Sequence, residues 1–577
     1  MSRIDDKFTN KMYRRMWVPA IISSLGWALS DMADAVVVGQ KLGTTGLAAI
    51  GLILPIYMIN CMFAHSFGLG GSVKYTLLLS EGKSEEAINS FNSVLRTSLI
   101  ISITFAIIGN IFMIPLLSIL GTVPSDGGLY DATIGYLRIL VSATPFFFLS
   151  NILNYYLRND DNNKVAGWGS VIGNIIDIVM NVLLVIFLNF GTRGAAISTL
   201  IGQVVAIAIY LPRILNKIRP INIKSIIFDI KEGFICFRSG VSSSITYIFQ
   251  LIFILLTNKL LMKISGEDGV AVFDMIQNAS YLILYLYEGT TRGLQPLLST
   301  YYGERNLRGE KHAMTLGFFS GCSVGSFVII IILIFPQIMC KLFGISGSSA
   351  EIFGIQALRI YALGAFFAGI SILLTCYYQS REQEKEAFVL TALRGGIILI
   401  PCVIIFGMFF MNEFWWLFPT TEILSLLIFW IYVKLFGQDT TFDKERIFNS
   451  IFVNESENVS RITCEIEEFC EKWEADFKQT YLATMAVEEV CLAIKAKGNV
   501  NGTGDVCVTV ISLSDGGFEL HLRYDADRFN PFLLQTQKIS ADGDYDMDAM
   551  GIHVIKQKAK EFFYRHYQGF DSLVIKI

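Results

Sequence analysis

Apolar residues in this chain come in long blocks. The stretches 98–120, 136–157, 317–335 and 395–411 are typical. Each is long enough to cross a hydrocarbon layer of about 30 Å, which takes about 20 helical residues. Twelve such blocks are read, near 14–38, 47–70, 93–120, 132–157, 165–188, 194–216, 238–262, 270–298, 313–342, 353–379, 387–411 and 415–437. At that depth the backbone finds no water, so each block is expected to be a helix. After Phe436 the pattern changes. Charged residues recur, no long apolar run remains, and 506–512 and 518–523 alternate as strands do. Helices are expected over 480–497 and 550–563. The fold class is therefore an all-α polytopic membrane protein with 12 transmembrane helices, followed by a soluble α/β sandwich domain.

The apolar part repeats itself. Leu137-Arg138-Ile139 returns as Leu358-Arg359-Ile360, and Tyr155-Tyr156 as Tyr377-Tyr378. Gly46-Leu47-Ala48 returns as Gly269-Val270-Ala271, and Gly82-Lys83 as Gly303-Glu304, so the offset stays at 221 to 223. Duplicated halves of this kind place a solute pathway at their interface in secondary transporters. Six blocks per half give both halves one orientation, about an axis along the membrane normal. The domains read as an N-terminal six-helix bundle (1–216), a linker (217–235), a C-terminal six-helix bundle (236–437) and a cytoplasmic domain (438–577).

Composition agrees with this division. The chain has 577 residues, 53% of them hydrophobic, and its mean hydropathy of +0.52 is too high for a soluble protein. Lys and Arg collect before the first block (Arg3, Lys7, Lys11, Arg14, Arg15), in the central loop (Arg213, Lys217, Arg219, Lys224, Lys231) and at Arg305, Arg308 and Lys311. The alternate loops are poor in them, so the positive-inside rule puts both termini in the cytoplasm; the membrane expected is the cytoplasmic (inner) one. No cleavable signal peptide is read at the N-terminus. A net charge of −4 gives no reason to expect nucleic acid. The 10 cysteines form no CxxC pair and the 5 histidines lack metal-ligand spacing, so no metal site is expected.

Polar residues inside the blocks carry the candidate chemistry. Asp31 and Asp34 stand three apart on one face of the first block, and Asn174, Asp177 and Asn181 share a face of the fifth. A carboxylate at this depth is costly and usually faces a cavity where ions, protons or solute pass. Two neighbouring carboxylates can also tune each other. Shifted by the repeat offset, Asp34 falls on residues 255–257 and Asp177 on 398–400, where no acid stands. Ion coupling is thus expected in the first half. Glu288, four before Arg292, is read either as an internal pair or as a solute contact. Arg394 is expected to snorkel, Asn258 and Gln250 to bond between helices, and His65 to pack. Pro19 removes one backbone hydrogen bond from the helix that carries Asp34 and could let it bend.

These residues resemble a family. Asp34-Ala-Val-Val-Val-Gly-Gln-Lys-Leu-Gly, running on through Gly46-Leu-Ala-Ala-Ile-Gly-Leu52, is similar to the first-helix signature of the multidrug and toxic compound extrusion (MATE) transporters. So are Gly68-Leu-Gly-Gly-Ser72, Gly194-Ala-Ala-Ile-Ser-Thr199 with Gln203, and Gly293-Leu-Gln-Pro-Leu297. The resemblance covers roughly residues 10 to 437. It implies two six-helix bundles around a central cavity, and export of organic cations or other amphipathic molecules in exchange for protons or sodium. It also implies ion coupling at Asp34 and helix bending at Pro19. In relatives the fifth helix reads Asn-x-x-x-Asp; here the two types are interchanged, as Asp177 and Asn181.

The tail resembles the histidine-kinase-type ATP-binding fold in its anti-sigma-factor-like branch. The matching pieces are Met485-Ala-Val-Glu-Glu-Val490, Phe529-Asn530-Pro531 and Met550-Gly551-Ile-His-Val-Ile-Lys556. The nucleotide site this implies is degenerate. Four residues after Glu489, Ala493 replaces the asparagine that holds magnesium. Asp525-Ala-Asp527 lacks the glycine of the adenine-reading element, and Ala549 leaves Gly551 as the single glycine beside the phosphates.

The function expected is a secondary antiporter whose tail regulates it, with ATPase or kinase activity of the tail not expected. Its partners would be a small-molecule substrate and membrane lipid, with a cytoplasmic protein partner of the tail left open. The chain is expected to be a monomer with no cofactor beyond the coupling ion. Two rivals stand: a lipid-linked oligosaccharide flippase of the same broad fold, which needs basic residues in its cavity, and a membrane sensor signalling through the tail.

Overall fold

The computed structural model describes residues 2–80, 84–159, 163–215, 229–345, 349–437, 444–497, 504–513, 516–525, 529–533, 547–567 and 570–577. Among these, ten helices are long and apolar enough to cross a membrane. The first half begins with α1 (Ser2–Ser80), which turns at Gly43. It continues through α2 (Ser84–Ile111), the short α3 (Met113–Leu120), α4 (Gly128–Asn159), α5 (Asn163–Asn181) and α6 (Gly191–Ile214). Between the last two, Val182–Phe187 widens into π-helix.

The second half repeats this series with one of its long helices divided in two. α7 (Ile230–Gly303) turns at Gly266 and leads to α8 (Leu307–Ile334), the short α9 (Pro336–Leu342) and α10 (Ser349–Ser380). Next come α11 (Glu384–Ala392), a π-helical stretch at Leu393–Ile397, α12 (Leu399–Phe409) and α13 (Leu417–Phe436). The duplication read from scattered identities is thus a duplication of backbone.

The halves meet along α1 and α7. Near the N-terminus Trp17 Nε1 donates to Thr290 Oγ1 at 3.1 Å, Thr9 and Tyr301 share a hydrogen bond of 2.7 Å, and Tyr13 bonds to Ser320. The same side is closed a second time where Ser66 Oγ donates to Ser244 Oγ at 2.8 Å. At the far end of the bundle Gln40 Nε2 donates to the carbonyls of Lys341 and Leu342, at 2.5 and 2.8 Å. Hydrogen bonds thus join the halves at both ends of the bundle.

The tail is built from β1 (Ile447–Val453), α14 (Ser456–Lys472), α15 (Phe477–Lys497), β2 (Asp505–Ser512), β3 (Phe518–Tyr524), α16 (Met547–Lys558), β4 (Glu561–Tyr567) and β5 (Phe570–Lys576). The strands form one antiparallel sheet in the order β1-β2-β3-β5-β4. Val508, Leu520, Leu522 and Leu573 pack from one sheet face onto Ile466, Val487 and Ile555 of the three helices. The helix expected over 550–563 ends at Lys558, and residues 561–567 are strand. Phe562, Phe563 and Tyr564 are strand-favouring aromatics, and pairing with β5 satisfies their backbone.

The other sheet face lies on the helical bundle. Ile451, Cys507 and Phe570 bury against Phe8, Met12 and Met16 of α1 and Leu294 and Tyr301 of α7. Two β3-side residues tie this face down by charge. Arg523 pairs with Glu304 at the end of α7, both side chains 3% exposed. Asp525 pairs with Lys11 at 2.5 Å and with Arg15 at 3.0 Å, both on α1.

Candidate ion and solute site

Asp34 lies in the apolar middle of α1, nine residues before the turn at Gly43. Its Oδ1 accepts a 2.6 Å hydrogen bond from Asn181 Nδ2, the last residue of α5 before the π-helical turns. Such wide turns spoil the backbone ladder and occur at functional positions. Asn181 is fully buried. One turn earlier, Asp177 presses against α6 where Gly202 leaves room: a Cβ there would sit 3.0 Å from that of Asp177. Ser198 and Thr199 of α6 stand beside the Asp177 carboxyl. Its Oδ1 and the Oδ1 of Asn181 are nevertheless buried without a hydrogen-bond partner among the described residues. Each such orphan costs about 1–3 kcal/mol. A bound ion, proton or water would relieve that cost.

Tyr136 of α4 closes the cluster. It hydrogen-bonds to Thr199 and lies within electrostatic reach of Asp34, Asp177 and Asp274 of α7. The structure thus brings Asp34, Asp177 and Asn181 together. Asn174 is half-buried one turn below Asp177. Asp31 stands on α1, but its side chain lies outside the described residues. Pro19 sits exposed within continuous helix, and α1 departs from helical backbone at Gly43.

Two of the charges considered in the second half are held in pairs. Glu288 meets Arg292 at 3.4 Å with both side chains substantially exposed, a pair worth at most about 1 kcal/mol. Arg394 donates from Nε to Glu422 on α13 at 2.7 Å, so it is held inside its bundle and does not snorkel. Its place in the π-helical stretch turns it toward α13. Asn258 Nδ2 bonds to the Gly51 carbonyl across the seam, and His65 bonds to Tyr155; both act as packing partners.

Sequence reasoning missed Tyr136, Glu422 and Asp274. The signal for Asp274 was present: it is a lone acid in the apolar run Val270-Ala-Val-Phe-Asp-Met-Ile276.

Of the tail positions resembling a nucleotide site, Glu489 and Gly551 meet while Asp525 lies apart from them. The Glu489 carboxyl fills the space beside the Gly551 Cα, where a phosphate would need clearance. Ala493 is buried in the core, and Asn530 accepts from the Phe532 N–H in a local turn. Arg523 and Asp525 alternate with Leu522 and Tyr524, so they emerge on the bundle-facing side of the sheet, away from Glu489 and Gly551. Asp527 lies outside the described residues, as does the side chain of Ala549. The residues present do not fit a magnesium nucleotide.

Comparison with known proteins covers the helical part. The MatE family model matches residues 19–183 and 242–413. A multidrug export protein, MepA of Staphylococcus saprophyticus, is 23% identical over 465 residues, covering 74% of this chain and 94% of that protein. A probable multidrug resistance protein, YoeA of Bacillus subtilis, is 21% identical over 343 residues, covering 56% and 72%. A solved inward-facing multidrug resistance MATE transporter shares the fold with a TM-score of 0.64 at 22% identity, over 72% of this chain and 96% of that one.

Proposed function

The chain belongs to the MatE family, and from that premise we propose that it is a secondary antiporter exporting organic cations or other amphipathic molecules in exchange for protons or sodium. The observation that carries the reading is the Asp34–Asn181 bond beside Asp177. It joins α1 to α5 and gathers two half-buried carboxyls where two oxygens lack donors. An ion taken up there changes which helix faces attract each other, and so biases one arrangement of the halves over another. Multidrug export is also what the name of MepA states for that protein, and probable multidrug resistance is what the name of YoeA states.

Split at Gly43 and Gly266, α1 and α7 give two crossings each, and the helical part then counts twelve crossings in two six-helix bundles. The termini would be cytoplasmic, in an inner membrane. The tail acts as a regulator: Asp525 holds α1 of the first half while Arg523 holds the end of α7 in the second. A strap across both halves opposes their separation on that side. ATP turnover is not part of this reading. The flippase alternative loses ground because the basic residues it needs, Arg292 and Arg394, are each paired with a carboxylate.

The test is efflux from proteoliposomes of a panel of fluorescent cations under imposed pH or sodium gradients. Wild-type protein should move at least one of them against its gradient, and Asp34→Asn should abolish this. Unimpaired efflux by that variant would sink the assignment of Asp34.

A further inference from the structure

We propose that Asp274, in the second half, is a further proton-binding carboxyl of the transport cycle, facing the Asp34–Asp177 cluster across the seam. This rests on the antiporter reading and adds a residue to it that neither the repeat nor the family-like motifs single out.

Asp274 stands eight residues past the turn of α7 and is fully buried. Asn278, one turn on, donates to its Oδ2 at 3.2 Å. Its Oδ1 has no hydrogen-bond partner among the described residues. No Lys or Arg pairs with it there. An ionised carboxylate in such a place would face the full desolvation cost without a counter-ion. A bound proton removes the charge.

The position is tied to the seam between the halves. Subtracting 223 from 274 gives 51, so Gly51 is the image of Asp274 in the first half, and the two residues touch. A Cβ on Gly51 would lie 3.3 Å from that of Asp274. Asn258 fastens the crossing from α7 by its bond to the Gly51 carbonyl, and its own Oδ1 is likewise buried without a partner. Tyr136 of α4 lies within electrostatic reach of Asp274 and also of Asp34 and Asp177. Each half thus carries an acid that the other lacks. Any motion that parts the halves at this crossing admits water to Oδ1, and the proton gains an exit.

A proton fits better than sodium. Asn278 turns its amide nitrogen toward the carboxyl, a hydrogen-bond donor that would repel a metal ion, whereas hard cations collect several oxygens.

The experiment uses the full chain in proteoliposomes with ethidium as probe, in two modes: uptake driven by a pH gradient, and ethidium counterflow, which needs no net proton movement. In Asp274→Asn, gradient-driven transport should fall about tenfold or more while counterflow stays within about twofold. Asp274→Glu should keep both modes with a displaced pH profile. The inference is overturned if Asp274→Asn keeps gradient-driven transport, if a sodium gradient replaces the pH gradient as the drive that this variant loses, or if both modes vanish in Asp274→Asn while Asp274→Glu keeps the wild-type pH profile. Wild-type protein that moves neither ethidium nor any other cation of the panel under either gradient would instead overturn the antiporter reading itself.

Discussion

Gly43 and Gly266 share one backbone conformation, φ 62° and ψ −145° at both. They stand at the turns where α1 and α7 double back, and each begins the crossing that forms the seam. This region of φ/ψ space is open essentially to glycine alone. Gly43→Ala and Gly266→Ala should each lose about 1–3 kcal/mol of stability. Thermal unfolding in detergent checks this, and an unchanged midpoint in both variants would show that the turns tolerate a side chain.

The Asn181–Asp34 bond predicts an exchangeable order of side chains. The double variant Asp177→Asn with Asn181→Asp gives the order that the family resemblance implies and keeps one carboxyl on the same helix face. It should retain ion-driven efflux within about tenfold of wild type. Asn181→Ala leaves Asp34 without this donor and should cost about 1–3 kcal/mol. Efflux assays paired with unfolding midpoints separate the two effects.

Docking of the tail depends on one deeply buried pair. Glu304→Gln leaves Arg523 buried against a neutral partner, and breaking such a pair costs about 3–5 kcal/mol. Hydrogen exchange should then rise at residues 8–16 and 447–453, which pack together across this contact. If the tail restrains opening, Asp525→Asn should speed counterflow severalfold. Faster exchange without faster counterflow would leave the tail a docked domain and no brake.

Thiol chemistry in the tail offers a check that is independent of transport. Burial, with Glu488 adding to it, pushes the Cys491 thiol up to about 12. Burial and Glu467 push Cys470 up to about 11. Cys464 is exposed. At pH 7.5 a maleimide should label Cys464 at least about a hundredfold faster than Cys470 or Cys491, since the thiolate is the reactive form. Peptide mass spectrometry reads this directly, and equal labelling would mean that the tail core is open in solution.

The helical blocks, their duplication and the isolated acids at Asp34 and Asp177 were all legible in the chain. They are local properties: a run of apolar side chains needs no partner to demand a helix in lipid. The strands over 506–512 and 518–523 were legible for the same reason. The end of α16 was not, because the pairing of β4 with β5 overrode a helical pattern.

What tertiary structure alone decided is which polar groups meet. Asn181 reaches Asp34 across 147 positions, and Arg15 reaches Asp525 across 510. Asp274 gains its meaning from lying against Gly51 and near Tyr136, which no spacing along the chain encodes. Likewise Asp525 belongs to the bundle-facing side of its sheet, although its sequence context resembles a nucleotide site. Hydrophobicity assigns each segment to lipid or water. The partners of its few buried charges are set by which helix faces and sheet faces come together, and their desolvation cost makes those meetings specific.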